Sequence, residues 1–233
     1  MSSLYIVGTP IGNLEDVSLR ALKVLSSVDT ILCEDTRVTK KLLMRHGIGT
    51  PTLSYHSHSK ISRVETIIAM LREGKNLALV SDAGTPGISD PGAELVAHVR
   101  QELAGEISAG EIKIESIPGP SALTAALSIA GVTCANFVFL GFLPHKKGRE
   151  TLFKEIAASD RTVVFYESPH RIMKTLQSLT KHLGDMPKRV SVCREMTKIF
   201  EEVVSGSASS VLNNFEKHPD AVRGEFVVIV SKA

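Results

Sequence analysis

Residues 81–92 read Ser-Asp-Ala-Gly-Thr-Pro-Gly-Ile-Ser-Asp-Pro-Gly, and no other stretch limits the fold as much. An apolar run, residues 77–80, precedes it, and a helical pattern, residues 93–103, follows. Gly84, Gly87 and Gly92 permit positive φ or close backbone approach, while Pro86 and Pro91 fix φ and remove two donors. Such a stretch cannot continue a strand or a helix. Asp82, Thr85, Ser89 and Asp90 add oxygen atoms to it. An apolar strand that runs into a stiff, oxygen-rich loop and then into a helix marks the ligand-binding end of an open α/β sheet. A plain βα connection is the competing reading, but such connections are usually shorter.

The same rhythm recurs along the chain. Strands are expected at residues 4–7, 30–33, 52–55, 77–80 and 111–117, with helices after Asp16 or Ser18 and at 37–46, 61–73 and 93–103. Leu19, Leu22, Val24 and Leu25 give the first of these helices an apolar face. Residues 8–16 form a second Gly/Pro loop, but no Gly-Lys-Ser/Thr follows it, which argues against a nucleoside-triphosphate site. His56 and His58 lie two apart in a loop without an evident third ligand, so no metal is expected. Pro118-Gly119-Pro120 marks the expected domain boundary, dividing residues 1–117 from 118–233.

Beyond it come a small-residue helix at 123–130, strands at 137–140, 162–166, 189–193, 200–205 and 225–230, and helices at 149–158 and 208–216. Ser168 suits an N-cap, Pro169 a first helical position and Gly184 a C′ position for a further helix. Consecutive strands with no helix between them predict antiparallel pairing, so the second half should hold a mixed sheet.

Composition adds limits. With 43% hydrophobic and 22% charged residues the chain reads as globular. Charge is uneven: 12 Lys/Arg against 14 Asp/Glu in residues 1–117, and 15 against 11 in 118–233. The second half could therefore face an anion. Cys33, Cys134 and Cys193 are far apart, which points to reduced thiols in a cytoplasmic protein. Neither a signal peptide nor a membrane span is expected.

Seven motifs then fall in order: residues 8–16 (GTPIGNLED), 33–37 (CEDTR), 81–92, 118–122 (PGPSA), 166–171 (YESPHR), 194–198 (REMTK) and 223–227 (RGEFV). Together they resemble the tetrapyrrole-methylase-like superfamily of S-adenosylmethionine-dependent methyltransferases, over residues 4–231. Within it they resemble the ribosomal RNA small subunit methyltransferase I branch, whose members methylate the ribose 2′-oxygen of a decoding-centre cytidine in 16S ribosomal RNA. The resemblance implies two α/β domains of the tetrapyrrole methylase type with the cofactor in the cleft between them. It also implies a homodimer in the cytoplasm, acting on RNA within the small ribosomal subunit.

At residue level, the resemblance places cofactor contacts at Pro10, Gly84, Ile88, Ser121 and Ala122. Thr85 stands where the superfamily's Gly-Asp-Pro loop carries an acid, leaving Asp82 or backbone groups to supply that contact. Longer members carry a C-terminal extension thought to help hold RNA, which a sequence ending at Ala233 is not expected to share.

A ribose hydroxyl is a poor acid, so methyl transfer to it calls for a base or a nearby cation. Candidate bases are Asp35, Glu167 and Glu195, and Arg194 is a candidate orienting cation. Each lies where a strand ends or a helix begins. Capping by Asp35, an intrahelical Glu167–Arg171 pair and an ion pair at Arg194 or Glu195 are the structural alternatives. Arg37, Lys40, Lys41, Lys146, Lys147 and Arg171 are candidates for RNA phosphate contacts. With three Tyr, eight Phe and no Trp, base stacking looks limited. Two other functions stand beside this one: a methylase of a tetrapyrrole-like small molecule, and a cofactor-binding module without catalysis.

Overall fold

The computed structural model of the chain describes residues 1–55 and 61–233. The chain divides into two units, Met1–Ser121 and Ala122–Ala233. In the first, β1 (Ser2–Val7), β2 (Thr30–Cys33), β3 (Thr52–Ser54), β4 (Leu77–Leu79) and β5 (Ile112–Ile117) form one sheet, ordered β3-β2-β4-β1-β5, with every neighbouring pair parallel. Helices α1 (Leu19–Ser27), α2 (Thr36–Arg45), α3 (Ile61–Arg72) and α4 (Gly92–Glu102) supply the crossovers, with a short α5 (Ala104–Ser108) before β5.

The sheet is covered on both faces, which explains its nearly continuous apolar strands. Ile31, Cys33, Ala78 and Val80 pack with Ala21, Leu25, Leu42 and Leu43 of α1 and α2. Leu32, Leu77 and Leu79 point the other way, onto Ile67, Leu71, Leu95 and Val99 of α3 and α4. Neighbouring strands β1 and β4 send their connections in opposite directions, β1 towards β2 and β4 towards β5. That reversal, at the carboxyl ends of the strands, is where open sheets bind ligands.

The second unit begins with α6 (Ala122–Ile129) and continues through β6 (Phe137–Phe142), α7 (Arg149–Ala158), β7 (Thr162–Glu167), α8 (Ile172–Leu183), β8 (Lys188–Arg194), β9 (Glu202–Gly206), α9 (Ala208–Lys217) and β10 (Phe226–Lys232). Its sheet runs β6-β7-β10-β8-β9. Only β6 and β7 pair in parallel, the other three pairs being antiparallel, so the sheet is mixed as expected. Phe153, Leu176, Leu179, Val211 and Phe215 of α7, α8 and α9 bury Val163, Phe165, Val190, Val192 and Val228 on one face.

Several expectations are corrected. Leu19 is 87% exposed, because Ala21 and Leu25 are the residues of α1 that point inward. Ser168 and Pro169 do not open α8. They lie in a turn closed by Arg171 N–H and Ile172 N–H on Ser168 O, and the helix begins at Ile172. Phe200 precedes β9 and is 67% exposed. The short α5 lacks an apolar period strong enough to read in sequence. His56 and His58 lie outside the described residues, and among the described residues no group of His, Cys, Asp and Glu could hold a metal ion. No helix of the described residues is long and apolar enough to cross a membrane.

Candidate functional site

Three Gly/Pro loops meet at the carboxyl ends of β1, β4 and β5. Gly8 and Gly119 touch backbone to backbone. A Cβ on Gly8 would lie 2.8 Å from Gly119 Cα, and one on Gly119 would lie 2.7 Å from Gly8 O. Thr9 and Gly84 form an antiparallel bridge, Thr9 N–H donating to Gly84 O (2.9 Å) and Gly84 N–H to Thr9 O (3.1 Å). Gly84 makes this turn at φ +81°, where L side chains are strained, and its missing Cβ leaves a gap beside Ile11 and Pro120 O. The Thr9 hydroxyl donates to Ser81 O (3.2 Å), and the Thr85 hydroxyl reaches Pro120 O (3.5 Å).

Further along, Asp90 Oδ1 accepts from Gly87 N–H (2.6 Å) and Gly92 N–H (2.7 Å), drawing the loop into a closed turn before α4. Side-chain and backbone bonds thus set the loop's shape in advance. Pro10 is buried, Ile88 is 47% exposed, Ser121 is half-buried, and Ala122 opens α6.

The end of β2 joins this cluster. Asp82 Oδ1 accepts from Asp35 N–H (3.1 Å), linking the ends of β2 and β4. Asp35 itself caps α2, accepting from Arg37 N–H (2.8 Å), and its carboxylate is clasped by the Arg37 guanidinium (2.6 Å). Those bonds pull its pKa down to about 2, which leaves it a weak proton acceptor at neutral pH. Glu34 is the opposite case. Burial, then the charges of Asp82 and Asp90, push its carboxyl up. Sequence reasoning passed over Glu34 because it adjoins the obvious cap; a strand-end acid directly beside a second acid, Asp35, was the available signal. On α2, Arg37, Lys40, Lys41 and Arg45 are all exposed.

In the second unit Glu167, 1% exposed at the end of β7, is the hub of a buried network. Its Oε1 accepts from Ser168 N–H (3.0 Å) and Arg171 Nη2 (2.7 Å). Its Oε2 accepts from Thr175 Oγ1 (2.6 Å) and Arg149 Nη2 (3.2 Å). The two guanidinium groups also donate to Leu143 O (2.7 Å) and Pro144 O (3.1 Å). Glu167 and Arg171 are therefore not an intrahelical pair: the acid ends a strand, and the arginine precedes a helix across a turn. Four donors occupy both carboxylate oxygens, which makes Glu167 an organiser of this loop. Arg171 is committed to the network, whereas Lys146 and Lys147 are exposed on the loop that it pins.

A second knot lies after β8. Glu195 Oε1 accepts from Lys198 Nζ (2.8 Å) and from Glu225 N–H (3.1 Å), and Lys198 also meets Glu225 Oε2 (2.8 Å). Burial pushes the Glu195 carboxyl up, but the Lys198 and Glu225 hydrogen bonds outweigh it and the net direction is down. Any side chain on Gly224 would collide with the Glu195 carboxyl, which explains the glycine of the RGEF motif. Arg194 pairs with Glu202 (3.2 Å), not with its neighbour. Cys33 and Cys193 are buried free thiols, and burial, with Glu201 adding to it, raises Cys193 to about 11.

Comparison with known proteins places this geometry among relatives. The family model of tetrapyrrole (corrin/porphyrin) methylases matches residues 3–212. A ribosomal RNA small subunit methyltransferase I of Thermotoga maritima is 44% identical over 231 residues, covering 99% of each chain. The Bacillus subtilis protein of the same name is 43% identical over 231 residues, 99% of this chain and 75% of its own. Among solved structures, uroporphyrin-III C-methyltransferase of Thermus thermophilus in complex with S-adenosyl homocysteine superposes with a TM-score of 0.64 at 18% identity. The match covers 98% of this chain and 97% of that one, a likeness of fold.

Proposed function

The chain belongs to the tetrapyrrole methylase family, and from that premise we propose that it methylates the ribose 2′-oxygen of a decoding-centre cytidine in 16S ribosomal RNA within the small subunit. One observation carries the reading: 44% identity along 99% of both chains to a relative named for small-subunit ribosomal RNA methylation. The methyl donor is S-adenosylmethionine, whose sulfonium supplies an already activated methyl group. The first unit fits such a group. Gly8 and Gly119, packed backbone to backbone, draw the loops together, a gap that a Cβ on Gly84 would fill lies beside Ile11, and Ile88 offers exposed apolar surface at the rim. Pro10, Asp82, Thr85 and Ser121 complete the set that this unit would offer it.

The chain's own residues then have to orient the ribose and take one proton. We assign that proton to Glu34, which lies half-buried at the end of β2 beside the Asp35–Asp82 link, where burial and the charges of Asp82 and Asp90 push its carboxyl up. Asp35 caps α2 and keeps Arg37 in place. Glu167, Glu195 and Arg194 act by fixing loops of the second unit. Arg37, Lys40, Lys41, Lys146 and Lys147 meet RNA phosphates, and the enzyme works in the cytoplasm as a homodimer.

The deciding experiment maps ribose methylation of small-subunit ribosomal RNA from cells with and without the gene, beside an assay that offers a porphyrinoid precursor. Loss of one 2′-O-methylcytidine on deletion is the expected result. Methylation of the porphyrinoid with unchanged ribosomal RNA would refute the proposal. Glu34→Gln should lose transfer while keeping cofactor binding by calorimetry, and equal loss of both removes Glu34 from the chemistry.

A further inference from the structure

The last turn of β6 departs from the pleat. Phe139 pairs with Val164, but Phe142, and not Gly141, pairs with Tyr166. One extra residue is therefore inserted, with Gly141 at φ +60°. A regular strand would send Phe142 to the face opposite Phe139. The bulge turns it back, and such bulges recur where a strand must re-aim a side chain. Both phenyl rings then meet Tyr166 edge-on, with centroids 4.9 Å and 5.5 Å away. This cluster lies on the sheet face away from α7, α8 and α9, since Val163 and Phe165 fill the helical side. Phe142 remains 55% exposed. The bulge costs ladder pairing, and the edge contact with Tyr166 still leaves more than half of the Phe142 residue in water.

Its surroundings indicate an occupant. The next residue, Leu143, is buried, and its carbonyl and that of Pro144 are held by Arg171 and Arg149. Both arginines are anchored on Glu167, so the ring platform and the start of the loop are rigid. Directly beyond, Lys146 and Lys147 are exposed. The one acid in the first turn of α7, Glu150, is turned to Lys181 (2.8 Å) and away from the loop's lysines. An exposed ring on a fixed base beside cations that pair with no acid among the described residues complements a nucleotide, which offers a flat apolar base and a phosphate together.

We propose that Phe142, supported edge-on by Tyr166, is a stacking platform for an unpaired base of single-stranded RNA whose adjoining phosphates meet Lys146 and Lys147. This rests on the reading of the chain as an RNA methyltransferase and adds to it a subsite for the strand. Base recognition by rings is thereby available to a chain with few aromatic residues.

The chain contains no tryptophan, so Phe142→Trp places a single fluorescent reporter on the platform. The probes are a fluorescein-labelled twelve-nucleotide single-stranded RNA and small subunits from cells lacking the gene. Phe142→Ala should weaken RNA binding roughly 5- to 150-fold, as loss of one stacked base does. Phe142→Trp should restore binding, with its emission quenched by unlabelled RNA. Lys146→Ala/Lys147→Ala should lower the slope of log affinity against log salt by about 1.4, at about 0.7 per phosphate. Cofactor affinity should not change in any variant.

Wild-type affinity in Phe142→Ala, or unquenched emission in Phe142→Trp, overturns the platform. So does a wild type that methylates small subunits but has no affinity for the oligonucleotide. A change in sedimentation of Phe142→Ala with unaltered RNA affinity overturns it as well and makes this face a protein interface. If wild type neither binds RNA nor methylates small subunits, the parent reading fails along with it.

Discussion

Replacing Glu167 by alanine should be among the most damaging single changes to the second unit. The residue is 1% exposed, and its two side-chain oxygens take four hydrogen bonds, two from arginine side chains that are themselves only 16% exposed. Alanine removes the one negative charge between Arg149 and Arg171 and strands both cations in a largely buried place. Removing one partner from such a network costs about 3–5 kcal/mol. Hydrogen exchange on peptides from β7 and α8 reads this cost directly. At about 1.4 kcal/mol per decade, exchange there should accelerate roughly a hundred- to several-thousand-fold. Glu167→Gln keeps the shape but turns an amide NH2 towards a donor, so it should fall between alanine and wild type. Glu150→Ala breaks an ion pair whose side chains are 58% and 69% exposed, and it should leave β7 exchange unchanged. Wild-type protection in Glu167→Ala would refute the hub and return Glu167 to the list of free carboxylates.

Three other results are expected. Gly119→Ala places a methyl group 2.7 Å from Gly8 O, an overpacking that costs about 1–3 kcal/mol and should lower the melting temperature by roughly 2–10 °C; an unchanged melting curve contradicts the close loop contact. Asp90→Ala removes the acceptor shared by Gly87 and Gly92, so both amides should exchange faster and calorimetry should show weaker S-adenosylmethionine binding; unchanged amides would mean that the loop keeps its shape without Asp90. The Asp35 carboxyl lies below its ordinary value of about 3.9, so its support of α2 is fully present above that pH and is lost as pH falls through about 2. Carboxyl titration by nuclear magnetic resonance should find a midpoint near 2 that rises in Arg37→Ala, and a wild-type midpoint near 4 would contradict the clasp.

Much of the architecture was legible because both sheets are built from locally unambiguous pieces. β2 spans residues 30–33 as expected, since an apolar run bounded by Asp29 and Glu34 has nowhere else to end. The mixed sheet followed from consecutive strands without a helix between them. The misreadings have equally local causes. Ser168-Pro169 satisfies every rule for a helix start, but the Ser168 N–H is taken by Glu167 and the chain makes one more turn before α8. Leu19 fits an apolar period, but α1 is rotated so that Ala21 and Leu25 face the sheet. Asp35 attracted attention as a strand-end acid, and its neighbour Glu34 proved to have the more unusual environment.

By itself the sequence determined where backbone had to bend, which faces had to be buried and which family's motifs the chain carries, because φ restrictions, apolar period and residue order are properties of neighbouring positions. Tertiary structure alone decided that Gly8 meets Gly119, that Arg149 and Arg171 share Glu167, and that a bulge aims Phe142 back beside Phe139. Those contacts join residues that become neighbours only after strands have paired and helices have packed. The same carboxylate is a base, a cap or a hub according to how many donors that packing brings to its two oxygens.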